Sequence, residues 1–305
     1  GFAQETAGDN LNIQGEYAGN RHSENAQPAS LGGQLIDVGE NRFRLTLYEG
    51  GLPGDGWSGA GERTELGPSP LQDGKIIFES DGKQFVYENG SIKVSLDGQE
   101  SGELDRVERK SATLGATPPE DAVVLFDGTT GDNFEVRRGE GDPMVDGLLR
   151  QGIASKEHFD GDFSLHIEFK LPFEPTRAGQ ARGNSGIYVQ GRYEVQMLDS
   201  FGLTGEHNEC GGIYSVKKPD VNMCYPPEIW QTYDIDFTSA KWDGEEKMAN
   251  ARMTVRHNGV LIHDNVEVPG PTTAAPLKES PAPGFIFMQD HGSPVRYQNI
   301  WILKK

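Results

Sequence analysis

The chain of 305 residues carries 47 acidic and 28 basic side chains, a formal charge of −19 at neutral pH. Repulsion of phosphates by that balance excludes nucleic acid and anionic membrane surfaces as favoured partners, and no apolar run is long enough to span a bilayer. Forty glycines and eighteen prolines point to a turn-rich, all-β chain of about two domains.

Residues 1–10 are polar and read as a loosely held tail. The opening Gly1-Phe2-Ala3-Gln4-Glu5 resembles a mature end exposed by removal of a signal peptide, or a boundary cut at that point; the first reading makes the protein secreted or periplasmic. Residues 11–109 read as a small all-β domain. Arg42–Leu47 places Phe43, Leu45 and Leu47 on one face, and Ser91–Leu96 alternates through Ile92, Val94 and Leu96 after an Asn89-Gly90 hairpin turn. Lys75–Phe78 and Gln84–Tyr87 are further strands. Trp57, in the Gly/Pro-rich loop Gly50–Gly61, either packs, the commoner fate, or stacks on a sugar.

Residues 110–121 (KSATLGATPPED) hold turn-formers and a proline pair and read as a linker. From 122 to 305 the pattern is again short strands without helical spacers. Ser164–Leu171 puts Leu165, Ile167, Phe169 and Leu171 inward, with His166, Glu168 and Lys170 outward. Ser185–Gln190 and Tyr193–Asp199 form a hairpin across Gly191, and Met253–Val255 another with Val260–Ile262. Phe285–Met288 and Val295–Leu303 follow. Such a series predicts a β-sandwich or jelly roll.

Four groups could do chemistry. In Tyr193–Asp199 the period of two sets Glu194 and Gln196 on the face opposite Val195 and Met197, and Asp199 joins them only through a bulge. Gln289-Asp290-His291-Gly292 follows an apolar strand, and an imidazole beside a carboxylate suits proton transfer. Asn184-Ser185-Gly186-Ile187-Tyr188 offers an amide and a phenol to sugar hydroxyls, and Gly212-Ile213-Tyr214 a further phenol. Trp230 reads as packing. Cys210 and Cys224 flank one loop and, in an exported protein, pair by default, with two free thiols as the alternative. A zinc site needs more ligands than these, and His207-Asn208-Glu209 alone does not define a metal site. Nucleotide-binding glycine loops, HExxH and the Gly-x-Ser-x-Gly elbow are missing.

Leu125-Phe126-Asp127-Gly128, Asn184–Tyr188, Tyr193–Asp199, Gly212-Ile213-Tyr214, Trp230-Gln231, Gln289–Gly292 and Asn299-Ile300, in that order, resemble the 3-keto-disaccharide hydrolase family over about residues 121–305. The resemblance implies a concanavalin-A-like jelly roll that cleaves an oxidised (3-keto) glucoside or disaccharide by removing the C2 proton, eliminating at C1 and adding water. It implies Glu194 and His291 as base and acid in either order, with Asp290 supporting the imidazole. Asn184, Tyr188, Gln196, Tyr214, Gln289 and Arg296 would bind substrate; Arg296 would stand in for an arginine that the family often carries where this chain has Gln298. No definite cofactor is implied, and a divalent metal is left open. Two other readings stay in view: a two-carboxylate glycosidase using Glu194 and Asp199 on the strand pattern Glu-x-Gln-x-x-Asp, and a carbohydrate-binding module without catalysis.

Overall fold

The computed structural model describes residues 10–22 and 27–305, so the predicted tail lies outside it apart from Asn10. The chain forms two compact units. One runs to Arg109 and also takes in Phe173–Gly179 and Phe201–Leu203; the other comprises Lys110–Pro172, Gln180–Ser200 and Thr204–Lys305. No helix among the described residues is long and apolar enough to cross a membrane.

The first unit is an eight-stranded antiparallel sheet. Its spatial order is Arg63–Pro70, Arg42–Glu49, Ala29–Asp37, Gly15–Arg21, Gln99–Val107, Ser91–Leu96, Lys83–Glu88 and Lys75–Ser80. The last four strands are joined by three two-residue turns, Asp81-Gly82, Asn89-Gly90 and Asp97-Gly98. Both residues of each turn have positive φ, the backbone that matches strand twist and that Asp, Asn and Gly tolerate. Phe43, Leu45, Ile92 and Val94 enter the core as their alternation predicts, whereas Leu96, at its strand's end, is exposed. Trp57 is buried edge-on to Tyr48 with ring centres 5.0 Å apart, which makes it a packing residue.

The second unit is a jelly-roll sandwich. Its larger sheet runs Met144–Val145, Leu148–Arg150, Arg296–Lys304, Phe163–Lys170, Trp230–Thr238, Ala251–His257 and Val260–Val268, with Val123–Phe126 also on Arg296–Lys304. The smaller runs Phe134–Val136, Ile153–Ser155, Phe287–Met288, Ser185–Val189 and Tyr193–Met197. Leu165, Ile167 and Phe169 of the first and Ile187, Val195 and Met197 of the second are all fully buried. Tyr193 of the smaller sheet lies 5.7 Å from Phe237 of the larger, ring centre to ring centre. Each such side chain contributes about 1.5–3 kcal/mol by leaving water.

Three expectations change here. Residues 110–121 are not a free linker: Thr113 Oγ1 donates to Asp234 Oδ2 (2.6 Å), Gly115 N to Glu168 Oε1 (2.5 Å) and Asn299 Nδ2 to the Ala116 carbonyl (3.0 Å). That cover buries His166 and Glu168, predicted to face solvent. Strand alternation separates two faces but does not say whether the second is covered. Thirdly, Cys210 and Cys224 are free, buried thiols and not a disulfide. Cys210 Sγ sits 3.3 Å from the Tyr233 hydroxyl, and Cys224 Sγ 3.5 Å from the Leu198 carbonyl, so both act as small packing groups. Trp230 is half-buried, its ring 5.5 Å from the Lys170 ammonium.

Burial opposes charge on His166, but hydrogen bonds to Asp234 (2.6 Å) and Glu168 (3.3 Å) outweigh it and raise the imidazole's pKa. Burial likewise opposes the Glu168 carboxylate, and His166, Asn299, the Gly115 amide and Gln298 overcome it and lower its pKa. The imidazolium's contribution is therefore complete below its ordinary pKa of 6.5 and fades as pH rises past its raised folded value. The carboxylate's contribution is present above its ordinary 4.5 and fades as pH falls through its lowered folded value. Glu168→Ala strands the imidazolium and three donors; urea denaturation at pH 6 should show a loss of about 3 kcal/mol, and a loss below 1 kcal/mol would contradict this account.

Candidate active site

The site grows from the Ser185–Val189 and Tyr193–Met197 hairpin. Its turn, Gln190-Gly191, has positive φ at both residues, and the register pairs Tyr188 with Glu194 and Gly186 with Gln196. These four positions therefore share one face, while Ile187, Val195 and Met197 point into the core. Phe287, paired with Tyr188 on the next strand, extends the face on one side. On the other, a bridge from Val195 to Ile213 brings in Tyr214. The face floors a cleft of about 580 Å³.

Glu194 lies at the floor and is 1% exposed. Its backbone is pinned by N–H donation to Thr272 Oγ1 (2.9 Å) and by acceptance from Tyr214 N (3.1 Å). Its carboxyl fills the space that a side chain would take at residue 186: a Cβ there would overlap Glu194 Oε1. Glycine is thus required for volume, not for backbone conformation. Glu194 Oε1 is buried with no protein hydrogen-bond partner. Burial pushes the carboxyl up to about 8, opposed weakly by the neighbouring Tyr188 phenol. At neutral pH it is predominantly a carboxylic acid.

Beside it stands a knot of amides. Gln196 Nε2 donates to Gln180 Oε1 (3.2 Å), Asn184 Nδ2 to the Gln180 carbonyl (2.7 Å), and Gln180 Nε2 to the Asn208 carbonyl (2.7 Å). Gln196 Oε1 is left buried without a partner, an acceptor open to a hydroxyl. The Tyr188 hydroxyl donates to the Thr273 carbonyl (2.8 Å) and accepts weakly from Gln289 Nε2 (3.4 Å).

Asn184, Tyr188, Glu194, Gln196, Tyr214, Gln289, Asp290 and His291 all line this one cleft. His291 is exposed on its wall, and Asp290 Oδ1 accepts from Gly292 N (2.9 Å), so the carboxylate shapes the turn and does not hold the imidazole. Arg296 is absent from the lining: its guanidinium donates to Gln151 Oε1 (3.2 Å) and to the Val295 carbonyl (3.1 Å). Gln298 is absent too, bonded to Glu168 (2.8 Å) beside an irregularity where Asn299 adopts φ 44°. Asp199 lies beyond the strand's end, buried and ion-paired with Arg182 (2.6 Å), and does not reach Glu194's face. Glu209 caps its own loop through the Gly205 and Glu206 amides. Among the described residues no three His, Cys, Asp or Glu side chains converge as ligands of one metal ion.

Sequence reasoning missed Gln180, Phe285, Phe287 and the rim arginines Arg137 and Arg138. Arg137 lies over Phe285 at 4.6 Å and pairs with Glu135 at 2.7 Å. The strand just before it, Phe134–Val136, is too short to leave a periodic signal.

Residues 121–303 match a family described as 3-keto-alpha-glucoside-1,2-lyase-like domains. A crystal structure from Parabacteroides distasonis, provisionally described as a glycosyl hydrolase, is 32% identical with a TM-score of 0.56, covering 62% of this chain and 86% of its own. A second from that organism, described likewise, is 19% identical with a TM-score of 0.45, covering 61% and 94%. None of the curated proteins matches this chain.

Gly186→Ala should expel the Glu194 carboxyl from its niche and return its titration towards the ordinary value of 4.5. A carboxyl-resolved NMR titration with the midpoint still near 8 would contradict that.

Proposed function

As a member of the 3-keto-alpha-glucoside-1,2-lyase-like family, to which residues 121–303 belong, the chain is a carbohydrate-cleaving enzyme, and we propose that its substrate is a glycoside already oxidised at C3. A C3 ketone acidifies the hydrogen on C2. A base removes that proton, the electron pair forms the C1–C2 double bond, and the C1–O bond breaks. The departing oxygen takes a proton from an acid. Water then adds across the enone, hydroxyl to C1 and hydrogen to C2, completing a net hydrolysis.

The observation that carries this reading is the Glu194 carboxyl: desolvated, protonated at neutral pH and with one oxygen free of protein partners at the cleft floor. Such a group donates a proton, and in this reaction the departing glycosidic oxygen needs one. His291, on the same cleft and open to solvent, is the base in this scheme. Gln196 Oε1 accepts from a sugar hydroxyl, with the Gln180–Asn184 amides holding it in place. A conventional retaining glycosidase would need a second carboxylate about 5–5.5 Å from the first, and Asp199 is committed to Arg182.

Glu194→Gln should lower kcat on a 3-keto-glucoside by about 100-fold or more. With the acid required protonated, wild-type kcat/KM should fall as pH rises past about 8, a limb that Glu194→Gln should lack. A rate that rises through pH 8 would make Glu194 the base instead. Turnover in D2O should place deuterium at C2 of the released sugar faster than that sugar exchanges unaided. Equal cleavage of unoxidised glycosides, or product without C2 deuterium, would overturn the elimination route.

A further inference from the structure

The two arginines of the cleft wall are anchored together through one carbonyl. The amides of Arg137 and Arg138 both donate to the Gly152 carbonyl (2.8 and 3.0 Å), and Gly152 N donates in turn to the Met288 carbonyl (2.8 Å). Gly152 has φ 77°, and a Cβ there would lie 3.1 Å from the Cβ of Arg138 and 3.2 Å from that of Asp290. Glycine is therefore required, and across its bare backbone Arg138 and Asp290 leave the wall as neighbours. His291, the proposed base, is the next residue and lines the same cleft.

The Arg137 guanidinium is occupied by Glu135 (2.7 Å) and lies over the Phe285 ring (4.6 Å). That of Arg138 is exposed and has no ion-pair or hydrogen-bond partner among the described residues. Other donors of the cleft are already engaged: the amides of Gln196 and Asn184 donate to Gln180 (3.2 and 2.7 Å). Arg138 thus brings to the base's end of the cleft a positive charge that no pH of interest removes.

We propose that Arg138 is a catalytic residue, its guanidinium holding the negative charge that the C3 oxygen gains when the C2 proton leaves. The inference rests on the reading of the substrate as a 3-keto glycoside, and it names the cation for the oxyanion that this route creates. Breaking the C2–H bond sends the proton to His291 and the electron pair into a C2=C3 bond, leaving charge on the former ketone oxygen. That charge re-forms the C3 carbonyl as the C1=C2 bond forms and the C1–O bond breaks, with Glu194 protonating the departing oxygen. Water adding at C1 of the enone generates the same oxyanion again, discharged when C2 takes up a proton. Only one carbon separates C2 from the C3 oxygen, so base and cation must stand together, as His291 and Arg138 do on this wall. A fixed charge aimed at a developing oxyanion is worth about 100-fold or more in rate.

Enolisation can be followed apart from cleavage with 3-keto-1,5-anhydroglucitol, which has a C2 hydrogen but no leaving group at C1. In D2O the wild-type protein should place deuterium at C2, and Arg138→Met should do so about 100-fold more slowly. Arg138→Lys, which keeps the charge and loses the planar fork, should fall between them. Methylguanidine should restore part of the rate to Arg138→Ala, whereas absence of rescue would make Arg138 a structural residue and overturn the assignment. Exchange at the wild-type rate in Arg138→Met, or an equal loss in Arg137→Met, would overturn it too and leave the elimination route standing. A wild-type protein that exchanges no C2 hydrogen would overturn that route and the role of Arg138 with it.

Discussion

A carboxyl without a counter-charge can be buried only as the neutral acid, and only where the backbone leaves room for it. Both conditions meet at Glu194. The opposite strand carries glycine at 186, so the carboxyl folds down over bare backbone, out of water and away from any cation. The surrounding construction follows from that placement. The amides of Gln180, Asn184 and Gln196 satisfy one another around the niche without bringing charge to it. Tyr188 stands opposite the acid across the hairpin, and Arg137 and Arg138 stay at the rim.

The larger sheet solves the opposite problem. His166, Glu168 and Asp234 are buried or half-buried as charges and must be paired. Residues 111–116 provide the closure, lending a threonine hydroxyl, a backbone amide and a carbonyl to the cluster. The irregularity at Asn299 lets Gln298 and Asn299, adjacent in sequence, both reach Glu168. Thus one sandwich holds an unpaired, neutral acid on one sheet and a compensated ionic cluster on the other. The first arrangement suits proton transfer, and the second serves to close the fold.

Several features were legible from local pattern. Alternation in Tyr193–Met197 sets Glu194 and Gln196 on one face, and backbone geometry leaves no other option for a regular strand. Asn-Gly and Asp-Gly turns mark hairpins because those residues tolerate positive φ. Other readings failed where the answer depended on a distant segment. Arg296, read as a substrate residue standing in for the arginine that the family often carries where this chain has Gln298, does not line the cleft. The two cysteines are close in sequence yet serve as packing groups on Tyr233 and Leu198.

The sequence by itself determined the all-β character, the sandwich, and which side chains of the key hairpin share a face, since those follow from a two-residue period and from turn chemistry between near neighbours. Only the tertiary structure decided that Glu194 is an acid at neutral pH, that its niche exists because residue 186 has no side chain, and that Asp290 bonds the Gly292 amide in place of His291. The physical reason is desolvation. Whether a group is charged depends on everything that displaces water around it, and those atoms come from Tyr188, Thr272 and Tyr214, brought together only by the fold.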